Sequence, residues 1–218
     1  MTKEKDSMNA LLNSYEQKKT AIKNRLREFK SKMRNSPDEQ IFQELVFCLL
    51  TPQSNAKTCD KAVRRLTETG LLLNGSAAEI AKQLKGVRFH NTKSARIIAA
   101  RDQFTKNSRI QIKKKLTSYK SPYELREWLV KNVSGLGYKE SSHFLRNIGL
   151  GFGMAILDRH ILKNLKNYGA IETIPKTLPK SKYLETEQKM QNFSKSIGIP
   201  IAELDLLLWS KETGEIFK

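Results

Sequence analysis

Cysteine is scarce in this chain, and long apolar runs are missing from it. The two cysteines, Cys48 and Cys59, are too few for an iron–sulfur cluster held by four thiolates, and we interpret both as small core residues. The longest apolar runs, 45–50 and 155–157, are far shorter than the roughly 20 residues that a bilayer requires. The first thirty residues are charged throughout and lack the apolar run of a signal peptide. These absences predict an intracellular protein that does not enter a membrane.

Acidic residues are few compared with basic ones. The chain has 40 Lys and Arg against 22 Asp and Glu, which gives a formal net charge of +18. Such an excess favours a polyanionic partner such as nucleic acid, and the alternative is a lysine-rich surface that serves solubility or heat tolerance. With 39% apolar and 28% charged residues, the composition is otherwise that of a compact globular protein.

Strand signals are nearly absent, whereas helix signals recur. Ser36 and Pro37 are predicted to open a helix with proline at its first position. The following helix is predicted to have Ser54 or Asn55 as its N-cap and to stop at Gly70. Around ten such helices and no convincing hairpin predict an all-α fold.

Further along the chain, capping boxes and periodic runs mark more helices. Ser76 with Glu79 and Ser121 with Glu124 have capping-box spacing. Apolar residues at helical spacing predict helices over 158–169, 181–197 and 201–211. The polar connection over 173–182 is a candidate junction between two helical lobes.

The stretch VSGLGYKE, residues 133–140, lies between two amphipathic helices. Gly135 and Gly137 allow positive φ and a close backbone approach, while Val133 and Leu136 are expected to pack inward. The free N–H groups of the turn and of the next helix start then favour an anion such as a DNA phosphate. The alternative is a plain helix corner that uses glycine for steric reasons.

Lys139 follows this turn, in the first turn of the second helix. The positive end of the helix dipole disfavours an ammonium there and favours the free amine, a nucleophile able to form a Schiff base. The helix over 138–148 rises about 16 Å, and the next nine residues can extend to roughly 30 Å, enough to return to Lys139. Asp158 can therefore stand beside Lys139 and support proton transfer or a developing positive charge, although an isolated Asp there could equally be a simple N-cap.

Four segments carry a family resemblance: GLGYKESSHFLRNIG, AILDRHIL, FCLLTPQSNA and LLLWSKETGEIFK. Together they resemble the helix-hairpin-helix DNA glycosylase superfamily, and most closely its archaeal-type 8-oxoguanine DNA glycosylase/AP lyases, over residues 42–218. The resemblance implies an all-α fold with two helical lobes and an active-site cleft between them. It also implies one catalytic unit over 1–218, with the helix-hairpin-helix motif at about 122–148.

The resemblance also implies residue roles. Lys139 would be the nucleophile that attacks C1′ of the damaged nucleotide, and Asp158 the essential carboxylate. Contacts to DNA phosphates are implied for Gly135, Gly137, Tyr138 and His160. Lesion recognition or filling of the gap is implied for Gln53, Ser54, Asn55, Trp209 and Lys218.

Several of these residues have a structural alternative. Residues 53–55 could cap a helix, and a lone histidine such as His160 is more often structural. Trp209 could be a core anchor of the last helix. Ile216 and Phe217 could dock the C-terminal segment, and in the resembled family the C-terminal lysine takes part in reading oxidised guanine, which would make Lys218 a specificity residue.

The expected partner is double-stranded DNA that contains 8-oxoguanine or an abasic site. We expect no cofactor, no metal site and no membrane contact, and a monomer located in the cytoplasm or nucleoid. Two alternatives remain open from the sequence: the same chemistry on another oxidised base such as a pyrimidine, or a non-catalytic protein that binds DNA structure through the hairpin.

Overall fold

The computed structural model describes the backbone of residues 2–218 and the side chains of residues 6–218. This part of the chain is helical apart from one short two-stranded hairpin, so the all-α prediction is confirmed and the expected absence of a hairpin is wrong. None of the helices described is both long and apolar enough to span a bilayer. In chain order the elements are α1 (Thr2–Asn35), α2 (Asp38–Leu50), α3 (Ala56–Glu68), α4 (Leu71–Asn74), α5 (Ala77–Gln83), α6 (His90–Phe104), β1 (Thr105–Lys106), β2 (Arg109–Ile110), α7 (Ile112–Leu116), α8 (Pro122–Asn132), α9 (Tyr138–Asn147), α10 (Arg159–Asn167), α11 (Lys180–Ser196) and α12 (Ile201–Thr213).

Most helix ends lie where the sequence predicts them. Asn55 is the N-cap of α3, and its side chain accepts a hydrogen bond from the N–H of Thr58 at 3.1 Å. Ser76 and Glu79 form the expected capping box at the start of α5. Gly70, in the left-handed conformation with φ of 70°, follows the C-cap of α3. These ends are set by bonds between residues close in sequence, which is why the sequence alone predicts them.

Two predicted helix starts differ in detail. Pro37 is the N-cap of α2 and not its first helical residue, so the helix begins at Asp38. Ser121 caps α8 by accepting a hydrogen bond from the N–H of Tyr123 at 3.2 Å, in place of the predicted capping box with Glu124. Pro37 is the cap itself, whereas Pro122 directly follows the cap Ser121, and each proline fixes the backbone at its helix start.

The buried apolar side chains form two clusters. The first cluster runs from Ile41 in α2 to Met154, after α9. The second cluster joins α1 to the segment from Ala155 to α12, so it combines both ends of the described chain. Residues on both sides of the connection over 173–182 belong to the second cluster, so this connection does not link the two clusters. A junction between lobes there stays a prediction.

The long helix α1 was not expected from the sequence. It packs along α12, and its buried residues, Leu11, Ile22 and Phe29 among them, belong to the second cluster. Tyr15 donates a hydrogen bond to Glu203 Oε2 of α12 at 2.6 Å. The apolar residues of α1 are widely spaced among charged ones, so its burial depends on a partner more than 150 positions away in the sequence.

Helix α9 packs against α1, α2 and α8, and its polar residues between positions 141 and 147 are buried. Arg126 of α8 donates two hydrogen bonds to the Glu187 carboxylate of α11, at 2.7 and 2.8 Å, and a third to Ser142 of α9 at 3.1 Å. Arg146 of α9 pairs with Asp205 of α12 at 2.8 Å. These bonds join α9 to helices of both clusters.

The Arg126–Glu187 pair gives a first prediction. Changing Glu187→Gln leaves a buried guanidinium without its counter-charge, and we expect the free energy of unfolding to fall by about 3 kcal/mol. Glu185→Gln is the matched control on the same helix, because Glu185 makes ion pairs with Lys182 and Lys189 at the surface. The side chains of Glu185 and Lys189 are each 47% exposed, and that of Lys182 is 43% exposed.

Urea unfolding followed by circular dichroism measures both variants. We expect the control to lie within about 1 kcal/mol of the original chain. Equal free energies of unfolding for the two variants would contradict the importance given to the buried pair.

Candidate active site

A cleft of about 640 Å³ lies where residues of both clusters meet, and most of the predicted site residues line it. Its wall includes Lys139, Asp158, His160, Gln53, Ser54, Asn55, Trp209 and Lys218. The predicted hairpin residues Gly135, Gly137 and Tyr138 are not part of this wall. The cleft therefore brings together five parts of the chain: the loop 51–55, Arg88 before α6, α9, the start of α10, and α12 with the residues after it.

Lys139 is the second residue of α9, and its ammonium has a partner that the sequence analysis missed. Nζ lies 2.9 Å from Glu140 Oε1, and the lysine side chain is 23% exposed. The other oxygen of Glu140, Oε2, accepts a hydrogen bond from the N–H of Gly137 at 3.2 Å. Glu140 thus fixes the start of α9 and holds Lys139 at the same time. The capping-box spacing of residues 137 and 140 was the signal in the sequence.

Asp158 is the N-cap of α10, as predicted. Its Oδ1 accepts hydrogen bonds from the N–H groups of His160 and Ile161, both at 2.8 Å. Among the described residues, no group donates a hydrogen bond to Oδ2. Capping therefore uses one oxygen of the carboxylate and leaves the other for a ligand in the cleft, so the capping interpretation and the catalytic one are compatible.

The two glycines of the hairpin have different roles. Gly135 has a φ of +94°, and a Cβ there would lie 2.6 Å from Arg96 Cδ. Gly137 has a φ of −96°, so the expectation of positive φ is wrong for it. A Cβ at Gly137 would approach Glu140 Oε2 to 3.1 Å, so this glycine leaves room for the carboxylate that caps α9.

The residues next to these glycines hold the hairpin in place. Val133 and Leu136 are buried, as predicted. Tyr138 points to the other side of α9, where its hydroxyl lies 2.7 Å from the Glu127 carboxylate. Lys180 pairs with the same carboxylate at 2.8 Å. In this structure the Tyr138 hydroxyl is thus engaged with Glu127.

The three predicted residues of the loop 51–55 differ in their contacts. Asn55 caps α3, which was the alternative considered for it. Ser54 Oγ accepts hydrogen bonds from the N–H of Arg88 and from Lys93 Nζ, both at 3.0 Å, so it anchors the loop. Gln53 is exposed at the cleft and has a φ of 54°, in the left-handed region. Unlike Ser54 and Asn55, it has no side-chain hydrogen bond among the described residues.

Trp209 is half-buried and lines the cleft, which disfavours the interpretation as a core anchor. Its ring stacks on Phe217, with centroids 6.2 Å apart and planes at 28°. Phe217 in turn meets the Phe47 ring edge-on at 6.3 Å. The expected docking of the segment 214–218 on the body of the protein is thereby confirmed, and the docking creates an aromatic wall.

The Lys218 side chain is anchored by two acids. Its Nζ lies 2.7 Å from Asp60 Oδ1, 3.4 Å from Glu44 Oε1 and 4.3 Å from the centroid of the Phe47 ring. Burial alone would raise the pKa of both carboxyls, but Lys218, helped by neighbouring basic groups, lowers each pKa below its ordinary value. The same contacts raise the pKa of Lys218 despite its burial. All three groups are therefore charged at neutral pH.

The two histidines next to the cleft differ in their surroundings. His160 Nδ1 lies 3.7 Å from Glu212 Oε2, and its side chain is 27% exposed. His143 is buried and still lines the cleft. Burial lowers the pKa of His143 well below its ordinary value, so its ring is neutral.

Further charged groups line the cleft without having been predicted. They are Arg88, Glu140, Arg146, Arg159 and Asp205. Burial raises the pKa of Asp205 to about 7, although Arg146 opposes the shift. The cleft thus combines a primary amine, several guanidinium groups and acids of unequal strength, which suits a polyanionic substrate and proton transfer within one site.

Comparison with known proteins gives a consistent result. A family model described as 8-oxoguanine DNA glycosylase matches residues 22–199. A protein of Fusobacterium nucleatum named 8-oxoguanine DNA glycosylase/AP lyase is 43% identical over 216 residues, covering 99% of this chain and 100% of the relative.

Solved structures agree with these sequence matches. The 8-oxoguanine DNA glycosylase of Thermotoga maritima superposes with a TM-score of 0.86 at 30% identity, covering 99% of this chain and 100% of that one. The Methanocaldococcus jannaschii 8-oxoguanine glycosylase/lyase, in complex with a 15mer DNA containing 8-oxoguanine, gives a TM-score of 0.85 at 35% identity, covering 96% of this chain and 100% of that one.

The acids around Lys218 give a prediction about the segment 214–218. Asp60→Asn removes the shorter of the two ion pairs, and we expect backbone amides of this segment to exchange with deuterium about tenfold faster. Glu215→Gln is the matched control, because the ion pair of Glu215 with Lys57 is at the surface. It should leave the exchange rates within about a factor of three.

Acid should release the same segment. A carboxyl whose pKa is lowered by folding contributes stability above its ordinary pKa and loses it as the pH falls through the lowered value. We therefore expect docking to persist at neutral pH and to be lost below about pH 4. A docking equilibrium that does not change between pH 7 and pH 3 in the same exchange measurement would contradict the anchoring role of Asp60 and Glu44.

Proposed function

Because this chain belongs to the 8-oxoguanine DNA glycosylase family, we propose that it excises 8-oxoguanine from double-stranded DNA and then nicks the abasic strand. The observation that carries the proposal is the presence of Lys139 and Asp158 in the wall of one cleft, each at the start of a helix. The names of the relatives include both base removal and AP lyase activity. We place the enzyme in the cytoplasm or nucleoid, where its substrate is.

DNA binding comes first. The damaged nucleotide has to leave the base stack before any residue of the cleft can reach its sugar, at a cost of a few kcal/mol. The N–H groups of Ser134 and Gly135 in the hairpin and those at the start of α9, which donate no hydrogen bond among the described residues, hold a phosphate next to the extruded nucleotide. The formal charge of +18 draws the duplex to the protein and offsets part of the cost of bending it.

Base removal follows from the positions of the three charged groups in the cleft. Glu140 Oε1, 2.9 Å from Lys139 Nζ, receives the proton that the ammonium gives up. The free amine of Lys139 attacks C1′, and the bond from C1′ to the base breaks, with its electron pair leaving on the base. The Asp158 carboxylate stabilises the positive charge that develops on the sugar.

Strand nicking uses the covalent intermediate. The bond from C1′ to O4′ then breaks, O4′ takes a proton from Nζ, and a protonated imine remains between Nζ and C1′. Loss of a proton from C2′ forms a double bond to C3′, and the bond from C3′ to its oxygen breaks, so that the 3′ phosphate leaves. Water then hydrolyses the imine and returns the free lysine.

Recognition of the base is assigned to the groups around the mouth of the cleft. We assign to Trp209, stacked on Phe217, the face against which the everted base lies. Lys218 keeps the segment 214–218 docked beside this face through its ion pairs. 8-Oxoguanine differs from guanine by a donor at N7, so a hydrogen-bond acceptor in this region can separate the two bases.

The decisive experiment is a cleavage panel over several oxidised bases with borohydride present. We expect a covalent adduct and a strand nick with duplexes containing 8-oxoguanine, and no adduct with Lys139→Gln. Lys131→Gln is the matched control, since it removes the same charge from an exposed position on α8. Absence of trapping by the original chain, or equal trapping by Lys139→Gln, would disprove the lyase mechanism, and trapping only with another lesion would reassign the substrate.

Asp158→Asn tests the carboxylate separately. Asparagine keeps an oxygen for the cap of α10, so the fold and DNA binding should be retained. We expect single-turnover excision to slow about 100-fold or more, because the stabilising charge is lost. Asp158→Ser, which also caps helices, should slow excision to a similar extent. An excision rate equal to that of the original chain would restrict Asp158 to capping.

A further inference from the structure

Lys93 is a buried lysine outside the set of catalytic residues. It lies in the first turns of α6, and only 1% of its surface is exposed. Its ammonium donates hydrogen bonds to the carbonyl oxygens of Leu50 and Pro52, both at 2.7 Å, and to Ser54 Oγ at 3.0 Å. An ammonium has three donors, and all three are directed to one short segment, the end of α2 and the loop 51–55.

The charge of Lys93 is not balanced by a carboxylate in the described part of the chain. The dipole at the C-terminal end of α2, where Leu50 is the last residue, supplies the partial negative charge that faces it. Burial is costly for such a group, and it lowers the pKa of Lys93. An apolar side chain of similar volume would fill the same space at lower cost, so packing alone does not account for a lysine here.

The segment that Lys93 holds contains a strained residue. Gln53 has a φ of 54°, which costs on the order of 1–3 kcal/mol for a residue with a side chain. Such a conformation persists only where the surrounding bonds enforce it. The residues on both sides of Gln53, Pro52 and Ser54, each accept a hydrogen bond from Lys93. Gln53 itself is exposed at the cleft.

We propose that Lys93 is a positioning residue for base excision: its ammonium sets the backbone of the loop 51–55 so that Gln53 meets the DNA at the extruded nucleotide. Lys93 acts only through the loop and touches neither DNA nor substrate. The inference rests on the proposed function, because it gives the loop a task in extracting the damaged base. Nicking of an abasic site that already exists needs Lys139 and the hairpin, and has less need of the loop.

The test compares two substrates with one variant. Lys93→Met removes the ammonium and keeps the length of the side chain. We expect single-turnover excision of 8-oxoguanine from a duplex to slow about 10- to 100-fold, as for a misplaced positioning group, while nicking of a preformed abasic site stays within about threefold. Equal losses on the two substrates, or no loss on either, would overturn the proposal.

Arg101→Met is the matched control for this variant. Arg101 lies on the same helix and donates a hydrogen bond to the carbonyl oxygen of Gly75 at 2.8 Å, away from the cleft. It should leave both rates unchanged within about a factor of two. Because loss of Lys93 could impair folding, Ser54→Ala provides a second variant, which keeps the ammonium and removes one of its three acceptors together with the hydrogen bond from the Arg88 N–H. It should show the same preference for the abasic substrate, and an equal effect on both substrates would again oppose the proposal.

Gln53→Gly tests the residue that the loop presents. Glycine adopts positive φ without strain, so the unfolding midpoint should stay the same or rise, whereas excision should slow with abasic-site nicking retained. Ser108→Gly is the control: Ser108 has a φ of 58° in the turn between β1 and β2 and should show the stability effect without the loss of excision.

Activity of the original chain distinguishes a wrong function from a wrong role for Lys93. If it fails to excise 8-oxoguanine, the proposed function is wrong. If the original chain excises the base, and the Gln53→Gly and Lys93→Met variants excise it equally fast, only the role of Lys93 is wrong.

Discussion

The position of α9 between the two hydrophobic clusters is the constraint on which the cleft depends. Its buried polar residues reach three other helices: Arg146 pairs with Asp205 of α12, Asn147 donates to Glu44 of α2, and Ser142 joins the Arg126 group of α8. A rotation or shift of α9 would leave buried charges without partners, at a cost of several kcal/mol. Lys139, at the start of α9, is thereby held at a fixed place relative to both clusters. Apolar packing alone would tolerate small shifts of α9, which the proposed role of Lys139 as nucleophile does not allow.

The parts of this structure that the sequence predicts are those decided by neighbours in the chain. Asn55, Ser76 and Asp158 are caps because each side chain bonds to N–H groups two or three positions later. The meeting of Lys139 and Asp158 in one cleft follows from the short reach of the chain after α9. The function could be inferred from the sequence for the same reason, because Lys139 and Asp158 are only 19 positions apart.

The parts that the sequence does not predict depend on partners far away in the chain. The polar face of α9 has the composition of a solvent-exposed surface, and only the fold shows that acids on α2 and α12 cover it. Lys218 meets Asp60 and Glu44 after more than 150 intervening residues, so its ammonium has a structural use that its place in the sequence does not reveal. Gly137 was understood as a source of positive φ, whereas it makes room for Glu140.

Three energetically costly groups lie in or beside the cleft. Gln53 is strained, Lys93 is charged and buried without a carboxylate among the described residues, and Asp205 Oδ1 is buried with no hydrogen-bond partner in the same part of the chain. The pKa of Asp205 is about 4 in the unfolded chain and about 7 in the folded one. The protonated carboxyl therefore favours the folded state below pH 4, and this contribution is lost as the pH rises from about 4 to about 7. A site that served only to hold the fold would not retain such costs. Their location beside Lys139 and Asp158 argues that the cleft is shaped for chemistry at the expense of stability.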